Sequence, residues 1–434
     1  MDIATIVNGL LGPEGRREPY PLYEELRALG PVVQTDEYMV MVTGHEEADE
    51  VLRTPAFGVI DPELATRFEP DYLEHPGQTL LGDSILQRNA PDHGRMRSLI
   101  SSVFTPRRVA ALEPAVTAAV DALLDELAEH GDGPVDFLDA FAFRLPIGVI
   151  CELLGVPEQD RHLFRPLAAD LTVTLEALVE DAELVAADRA AGELSQYFAE
   201  LAALRRADPK DDLVSALVAT ADADPQRLSD TELLANLALL LVAGFETTGN
   251  LLGNALALLL GRPDTAARLR EGALDPAALV DEVLRFDSPV QLTSRIALTD
   301  GLTVGGLPVP LHTGVLLLIG AANRDPRRYT DPGRFDPDRA AGRPLSFGGG
   351  PHYCLGAQLA RLEATAALPA LLRRFPDLAA AGPADRRERL VLRGYRTLPV
   401  TLTGRAAEPP SRRAAEPPSR RAAEPPRHRG IEAS

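Results

Sequence analysis

Phe347-Gly348-Gly349-Gly350-Pro351-His352-Tyr353-Cys354-Leu355-Gly356-Ala357-Gln358-Leu359-Ala360-Arg361 is the stretch from which the rest of the chain is read. A glycine run lets the backbone pass close to something flat or take dihedrals that other residues avoid. Here it delivers a lone cysteine to the mouth of a helix, whose apolar face is marked by Leu359, Leu362 and Leu368. Unpaired N–H groups from Leu355 to Gln358 and the positive helix end are expected to lower the thiol pKa and favour a thiolate.

Phe347, Gly350, Cys354 and Gly356 stand as F-x-x-G-x-x-x-C-x-G, with His352 two places before the sulfur. Four points at fixed offsets make a specific signal. The pattern resembles the haem-ligating loop of the cytochrome P450 superfamily. The resemblance implies haem b, with the Cys354 thiolate as axial iron ligand and Phe347, His352 and Gly356 beside the cofactor. It also implies a mainly α fold with small β-sheets, a helix-rich triangular prism around the haem.

Length and composition permit that fold. The chain has 434 residues and is 45% hydrophobic, enough for a large core, and its low aromatic share with abundant Ala and Leu leans toward helix. A formal charge of −20 repels polyanions and argues against nucleic-acid or anionic-membrane partners. Two cysteines, Cys151 and Cys354, give no disulfide framework, and Cys151 lies in an apolar helical run as core. The N-terminus lacks the pattern of a secretory signal, so a soluble cytoplasmic protein is expected, a monomer with no membrane contact.

Tyr20 to Leu29 reads as helix, Pro31 to Val42 as a hairpin and His45 to Leu52 as helix. Pro55 to Ser84, rich in Pro, Gly and Asp, reads as a functional loop, which by resemblance lies over the substrate. His93 and Arg97 are four apart and share a helix face. They match the family's H-x-x-x-R, which holds a haem propionate; Arg pairs with carboxylates through a planar fork. Val109 to His130, Phe137 to Leu154, Glu158 to Leu178, Asp181 to Arg206 and Asp212 to Ala221 read as successive amphipathic helices.

Ser229-Asp230-Thr231-Glu232 reads as a capping box that opens a long apolar helix through Leu260. Within it stand Ala243, Gly244, Glu246 and Thr247, an acid and a hydroxyl that are costly in an apolar wall unless solvated or bonded. Threonine back-bonding near Gly244 is expected to open the helix locally. The family's oxygen-binding groove carries A-G-x-acid-T here, which implies catalytic roles for Glu246 and Thr247 and haem contact for Ala243 and Gly244. Glu282 and Arg285 resemble the family's structural E-x-x-R, with Arg339 as third partner, and Arg295 matches a position that binds the other propionate. By position, the candidate pocket residues are Ile85, Leu86, Leu239, Val242, Val290, Gln291, Val391 and Leu392, with Val242 and Ala243 facing the haem. Leu390 to Tyr395 reads as a hairpin whose tip, in relatives, dips into that pocket.

Residues 1–404 are thus expected to form one haem-thiolate domain. From Arg405 an eight-residue Arg/Ala/Glu/Pro repeat reads as a disordered tail. The resemblance implies a monooxygenase that inserts one atom of O2 into an apolar secondary metabolite such as a polyketide or macrolide. No reductase segment is visible in the chain, so the electrons are expected from a separate ferredoxin and ferredoxin reductase. Two rivals are a peroxide-driven peroxygenase, against which Glu246-Thr247 argues, and a non-catalytic haem-fold helper, against which Cys354 argues.

Overall fold

The computed structural model describes residues 1–403 except 102, 103, 132, 225 and 341, so the tail read from Arg405 onward lies outside the described residues. The architecture centres on helix Asp230–Leu260, 31 residues and about 46 Å long at the usual rise per residue. Its start is fixed as the sequence suggests. Ser229 Oγ accepts from Glu232 N at 3.2 Å, and the Glu232 carboxylate accepts from Ser229 N at 2.9 Å. Helices Arg144–Leu154, Phe164–Thr172, Asp181–Ala207, Pro276–Phe286 and Ala357–Arg374 pack around this central helix.

Small residues bring the neighbours close. A Cβ on Gly249 would stand 2.3 Å from a ring carbon of Phe143, so the segment ahead of Arg144–Leu154 fits only against glycine. The central helix remains regular through Gly244, without the expected local opening. It is also, among the described residues, the one helix long and apolar enough to cross a membrane, and it is mostly buried inside the protein.

Beside the helices lies a sheet of five strands in the order Val32–Asp36, Met39–Val42, Gly314–Leu317, Thr293–Ala297, Phe57–Gly58. Met39–Val42 pairs parallel with Gly314–Leu317 and the other pairs are antiparallel. One large apolar cluster fills the space among the helices, and smaller ones lie against this sheet and among the N-terminal helices.

Further sequence expectations change, among them the helix expected over Glu158 to Leu178, whose α-helical part is Phe164–Thr172. Residues 55–84 are not structureless: Asp61 caps helix Pro62–Phe68, and helix Pro76–Gly82 follows, each with proline in its first turn. The helix expected over Val109 to His130 is two, Pro106–Ala111 and Glu113–Ala128, broken at Leu112 ahead of Pro114. The hairpin expected at Leu390 to Tyr395 is set by strands Asp385–Arg386 and Tyr395–Thr397, so Leu390 and its neighbours form the loop they enclose.

Candidate active site

The cysteine loop is pinned at both ends. Leu345 N donates to Asn323 Oδ1 at 2.8 Å and Ser346 Oγ donates to Leu284 O at 2.7 Å, which ties the loop to helix Pro276–Phe286. Cys354 N donates to Phe347 O at 2.9 Å and closes it. Gly350 has φ +61°, and a Cβ there would stand 2.2 Å from Leu52 O. The close neighbour of this glycine is therefore the backbone at the end of helix His45–Arg53. Helix Ala357–Arg374 then starts behind Gly356. The Phe347 ring lies under the Arg361 guanidinium at 4.5 Å, and Arg361 is held by Asp281 Oδ1 at 2.7 and 3.0 Å.

Burial pushes the Cys354 thiol up, against the pull of the Gly356 and Ala357 N–H groups and of Arg97 and Arg361. The expectation that the helix mouth alone favours a thiolate is corrected, because desolvation of the anion outweighs the helix end. A cation in contact with the sulfur would restore the thiolate. Among the described residues no group of three or more His, Cys, Asp or Glu could hold a metal ion.

Around the loop stand four side chains able to carry positive charge. His93 and Arg97 come from helix Asp92–Ser101, Arg295 from the five-stranded sheet and His352 from the loop itself. The two imidazoles stack with centroids 4.1 Å apart. Arg97 Nη2 donates to Tyr353 O at 2.6 Å, and Arg295 Nη1 donates to Ser294 O at 2.7 Å. None of the four is ion-paired with a carboxylate among the described residues, and the buried His93 Nε2 has no partner. Burial pushes Arg295 down to about 10. Burial with Arg97 and Arg295 nearby pushes His93 down to about 4, and His352, beside His93 as well, to about 3. Such a cluster is unfavourable by itself and fits a ligand bearing carboxylates. The residues present therefore fit a haem: one thiol for iron, cations for two propionates.

On the central helix the middle is accessible. Ala243 is exposed and Gly244 and Thr247 are partly so, although the residues around them are buried. Small side chains one turn apart leave room there. Thr247 Oγ1 donates to Ala243 O at 2.8 Å, leaving its lone pairs to accept. Glu246 is buried and ion-paired with Arg387 from the C-terminal loop; Asn250 Nδ2 donates to its Oε1 at 3.3 Å, and its Oε2 has no partner among the described residues.

Ile85, fully inside, is placed by Asn236 of the central helix, whose Oδ1 accepts from Ile85 N at 3.1 Å; Leu86 beside it is exposed. Val290 and Leu392 form an antiparallel bridge, and Gln291 N donates to Val391 O at 2.8 Å, so these candidates from distant parts of the chain do meet. Leu239 and Val242 belong to the helical core. Two further candidates, Val242 and Gln291, are almost wholly buried. Val242 has no exposed surface, because the accessible stripe runs through Ala243 and Thr247. Gln291 is buried, its amide donating to Ser288 O at 2.8 Å and Tyr20 Oη at 3.2 Å, since a buried amide must find partners.

Glu282 and Arg285 form a fully buried pair, two bonds of 2.7 Å, and Arg339 Nε approaches Glu282 at 3.5 Å. Arg285 also donates to Pro332 O and Arg334 O, locking the irregular segment that leads into the cysteine loop. Sequence reading did not single out Asn236, Arg361, Arg387 or Glu176, because each acts through a partner far along the chain. Only Asn236 carried a signal, as a polar residue in an apolar helix two turns before Ala243 and on the same face.

Comparison with known proteins agrees with this geometry. The family model for cytochrome P450 matches residues 177–274 and 277–385. The chain is 38% identical to the cytochrome P450 monooxygenase PikC of Streptomyces venezuelae, over 90% of this chain and 93% of that one. It is 40% identical to the 6-deoxyerythronolide B hydroxylase of Saccharopolyspora erythraea, over 89% and 96%. The solved structure of the tirandamycin C-bound monooxygenase TamI superposes with a TM-score of 0.80 at 34% identity, covering 90% of this chain and 99% of that one. With relatives so similar along nearly the whole length, the chain belongs to the cytochrome P450 family and is a haem-thiolate monooxygenase of the bacterial natural-product-tailoring type.

Proposed function

We propose that Cys354 is the iron ligand, that His93, Arg97, Arg295 and His352 hold the haem propionates, and that residues 1–404 work as one catalytic domain on an apolar secondary metabolite. The observation that carries this is the cluster of four cation-capable side chains beside the cysteine loop, none of them ion-paired with an acid among the described residues. When bound, the haem supplies reductive activation of dioxygen, from which one atom enters the substrate. The chain's residues do the rest. Phe347, clamped by Arg361, and Gly350, seated on the Leu52 backbone, keep the sulfur in place. Ala243 and Gly244 leave the space that small side chains leave. Thr247 Oγ1 accepts a hydrogen bond, and Glu246 Oε2, without a partner among the described residues, takes up a proton and passes it on.

The substrate class is a polyketide or macrolide, in keeping with the relative that hydroxylates 6-deoxyerythronolide B and with the TamI structure that binds tirandamycin C. The walls would be Ile85, Leu86, Leu239, Val290, Val391 and Leu392, apolar residues that orient such a ligand by shape. Electrons come from a ferredoxin and its reductase, and the protein works as a monomer in the cytoplasm.

The test is the reduced, carbon-monoxide-treated holoprotein. The red-shifted Soret band of thiolate ligation is expected, with its loss in Cys354→Ala; a spectrum without that band would overturn the ligand assignment. Titrating macrolide aglycones against the ferric spectrum reports displacement of iron-bound water. Product formed with ferredoxin, its reductase and NADPH supports the donor assignment, and turnover with peroxide alone at an equal rate would overturn it.

A further inference from the structure

Glu176 ends the short turn after helix Phe164–Thr172 and is nine-tenths buried, although nothing in the sequence marks it. Its carboxylate accepts three backbone hydrogen bonds, each 2.9 Å, from Leu390 N and Val391 N on Oε2 and from Leu392 N on Oε1. These donors lie more than two hundred residues away in the chain. The same segment also bonds to residues 289–291: Gln291 N donates to Val391 O at 2.8 Å and Arg393 N to Pro289 O at 2.7 Å. Three successive N–H groups converge on one carboxylate, a bend rather than a strand edge, where successive N–H groups would point to alternate sides. Seven residues on, Glu183 at the start of helix Asp181–Ala207 accepts from Arg389 Nη2 at 2.5 Å, so residues 176–183 are fastened to 389–392 at both ends.

We infer that Glu176 is a positioning residue for substrate selection: through its three bonds, the connection between helices Phe164–Thr172 and Asp181–Ala207 sets where Val391 and Leu392 stand in the pocket wall. This rests on the proposed reading that those two residues line the pocket. An anionic acceptor holds N–H groups more firmly than a neutral one. No side chain other than Glu176 accepts from these three N–H groups among the described residues. When the connection moves, the wall moves with it.

The test uses the ferric holoprotein and two ligands that bind iron through nitrogen: imidazole, a single small ring, and econazole, a much larger azole whose substituents would reach the walls. Glu176→Ala is expected to weaken econazole by about tenfold while imidazole stays within about twofold and the thiolate Soret band is retained. Hydrogen exchange at the Leu390, Val391 and Leu392 amides should accelerate in the same variant. Glu176→Gln, which keeps one acceptor oxygen, should fall between wild type and Glu176→Ala. In combination with Val391→Ala the effects should be less than additive, because both act through one wall. Unchanged econazole binding in Glu176→Ala, with a clear effect of Val391→Ala, overturns the inference and leaves the pocket reading intact. No effect of Val391→Ala or Leu392→Ala overturns the pocket reading itself. If Glu176→Ala does not hold haem, Glu176→Gln carries the same comparison, and loss of haem from both confines Glu176 to folding and overturns the inference.

Discussion

Buried arginines occur in two parts of this protein under opposite conditions. Beneath the helix Pro276–Phe286, Arg285 meets Glu282 in a two-point bond, and Arg393 and Arg386 meet Asp287 at 2.7 and 2.5 Å. Burial would raise the Asp287 carboxyl, but Arg386 and Arg393 outweigh it and hold that group well below the usual range. Beside the cysteine loop, Arg295 is as deeply placed, yet no acid meets it among the described residues, and burial pushes its pKa down to about 10. The chain is strongly acidic, with 64 Asp and Glu, so the shortage there is local. Paired charge serves the fold; charge without a counter-ion marks the place where a ligand supplies one.

Breaking the paired side should have the largest effect. Arg285→Ala strands the Glu282 carboxylate and is expected to cost about 3–5 kcal/mol, read from urea unfolding. A loss under about 1 kcal/mol would place this pair with exposed ones and erase the contrast.

Glu363 offers the reverse case, a buried acid whose Oε2 has no hydrogen-bond or ion-pair partner among the described residues, pushed up to about 8 by burial. Because the folded-state value is raised, the folded protein keeps a proton that the unfolded chain releases above about 4.5. The group's stabilising effect is complete at low pH and is lost as pH rises from about 4.5 through 8, amounting to about 3 kcal/mol by pH 7. Glu363→Gln should remove this slope and raise stability at pH 7 and above. Unfolding free energy measured from pH 5 to 8.5 decides it, and an unchanged slope in the variant would sink the assignment.

Replacing a cation that has no acid partner among the described residues should act with the opposite sign to Arg285→Ala. Arg295→Leu is expected to stabilise the haem-stripped protein by about 1–3 kcal/mol while the holoprotein loses haem faster. Equal destabilisation of both forms would mean that Arg295 serves the fold as Arg285 does.

Thr247→Ala should move stability least, by under about 1 kcal/mol, because among the described residues its hydroxyl donates to Ala243 O within its own helix and to nothing else. Its effect belongs to chemistry: electrons continue to flow but leave as hydrogen peroxide. Peroxide released per NADPH consumed measures this, and unchanged coupling would remove Thr247 from the proton path.

Much was legible because the signals were local. Ser229 and Glu232 act three residues apart, as do Glu282 and Arg285, and the cysteine loop carries its whole pattern within ten residues. Where reading failed, the cause was long-range. Gly350 bends against Leu52, a neighbour nearly three hundred residues earlier, and Val242 lies one residue from the accessible stripe, a distinction set by helix rotation in the core.

The order of residues by itself determined that a cysteine would follow a glycine loop into a helix, that one long apolar helix would carry an acid and a threonine at its middle, and that both belong to one family's pattern. Only the folded structure decided the protonation tendency of Cys354, the lack of an acid partner for Arg295 and His352 among the described residues, and the hold of Glu176 on Leu390 to Leu392. The reason is physical. Periodicity and caps depend on neighbours a few bonds away, whereas desolvation and charge pairing depend on which distant segments meet and on how much water they exclude.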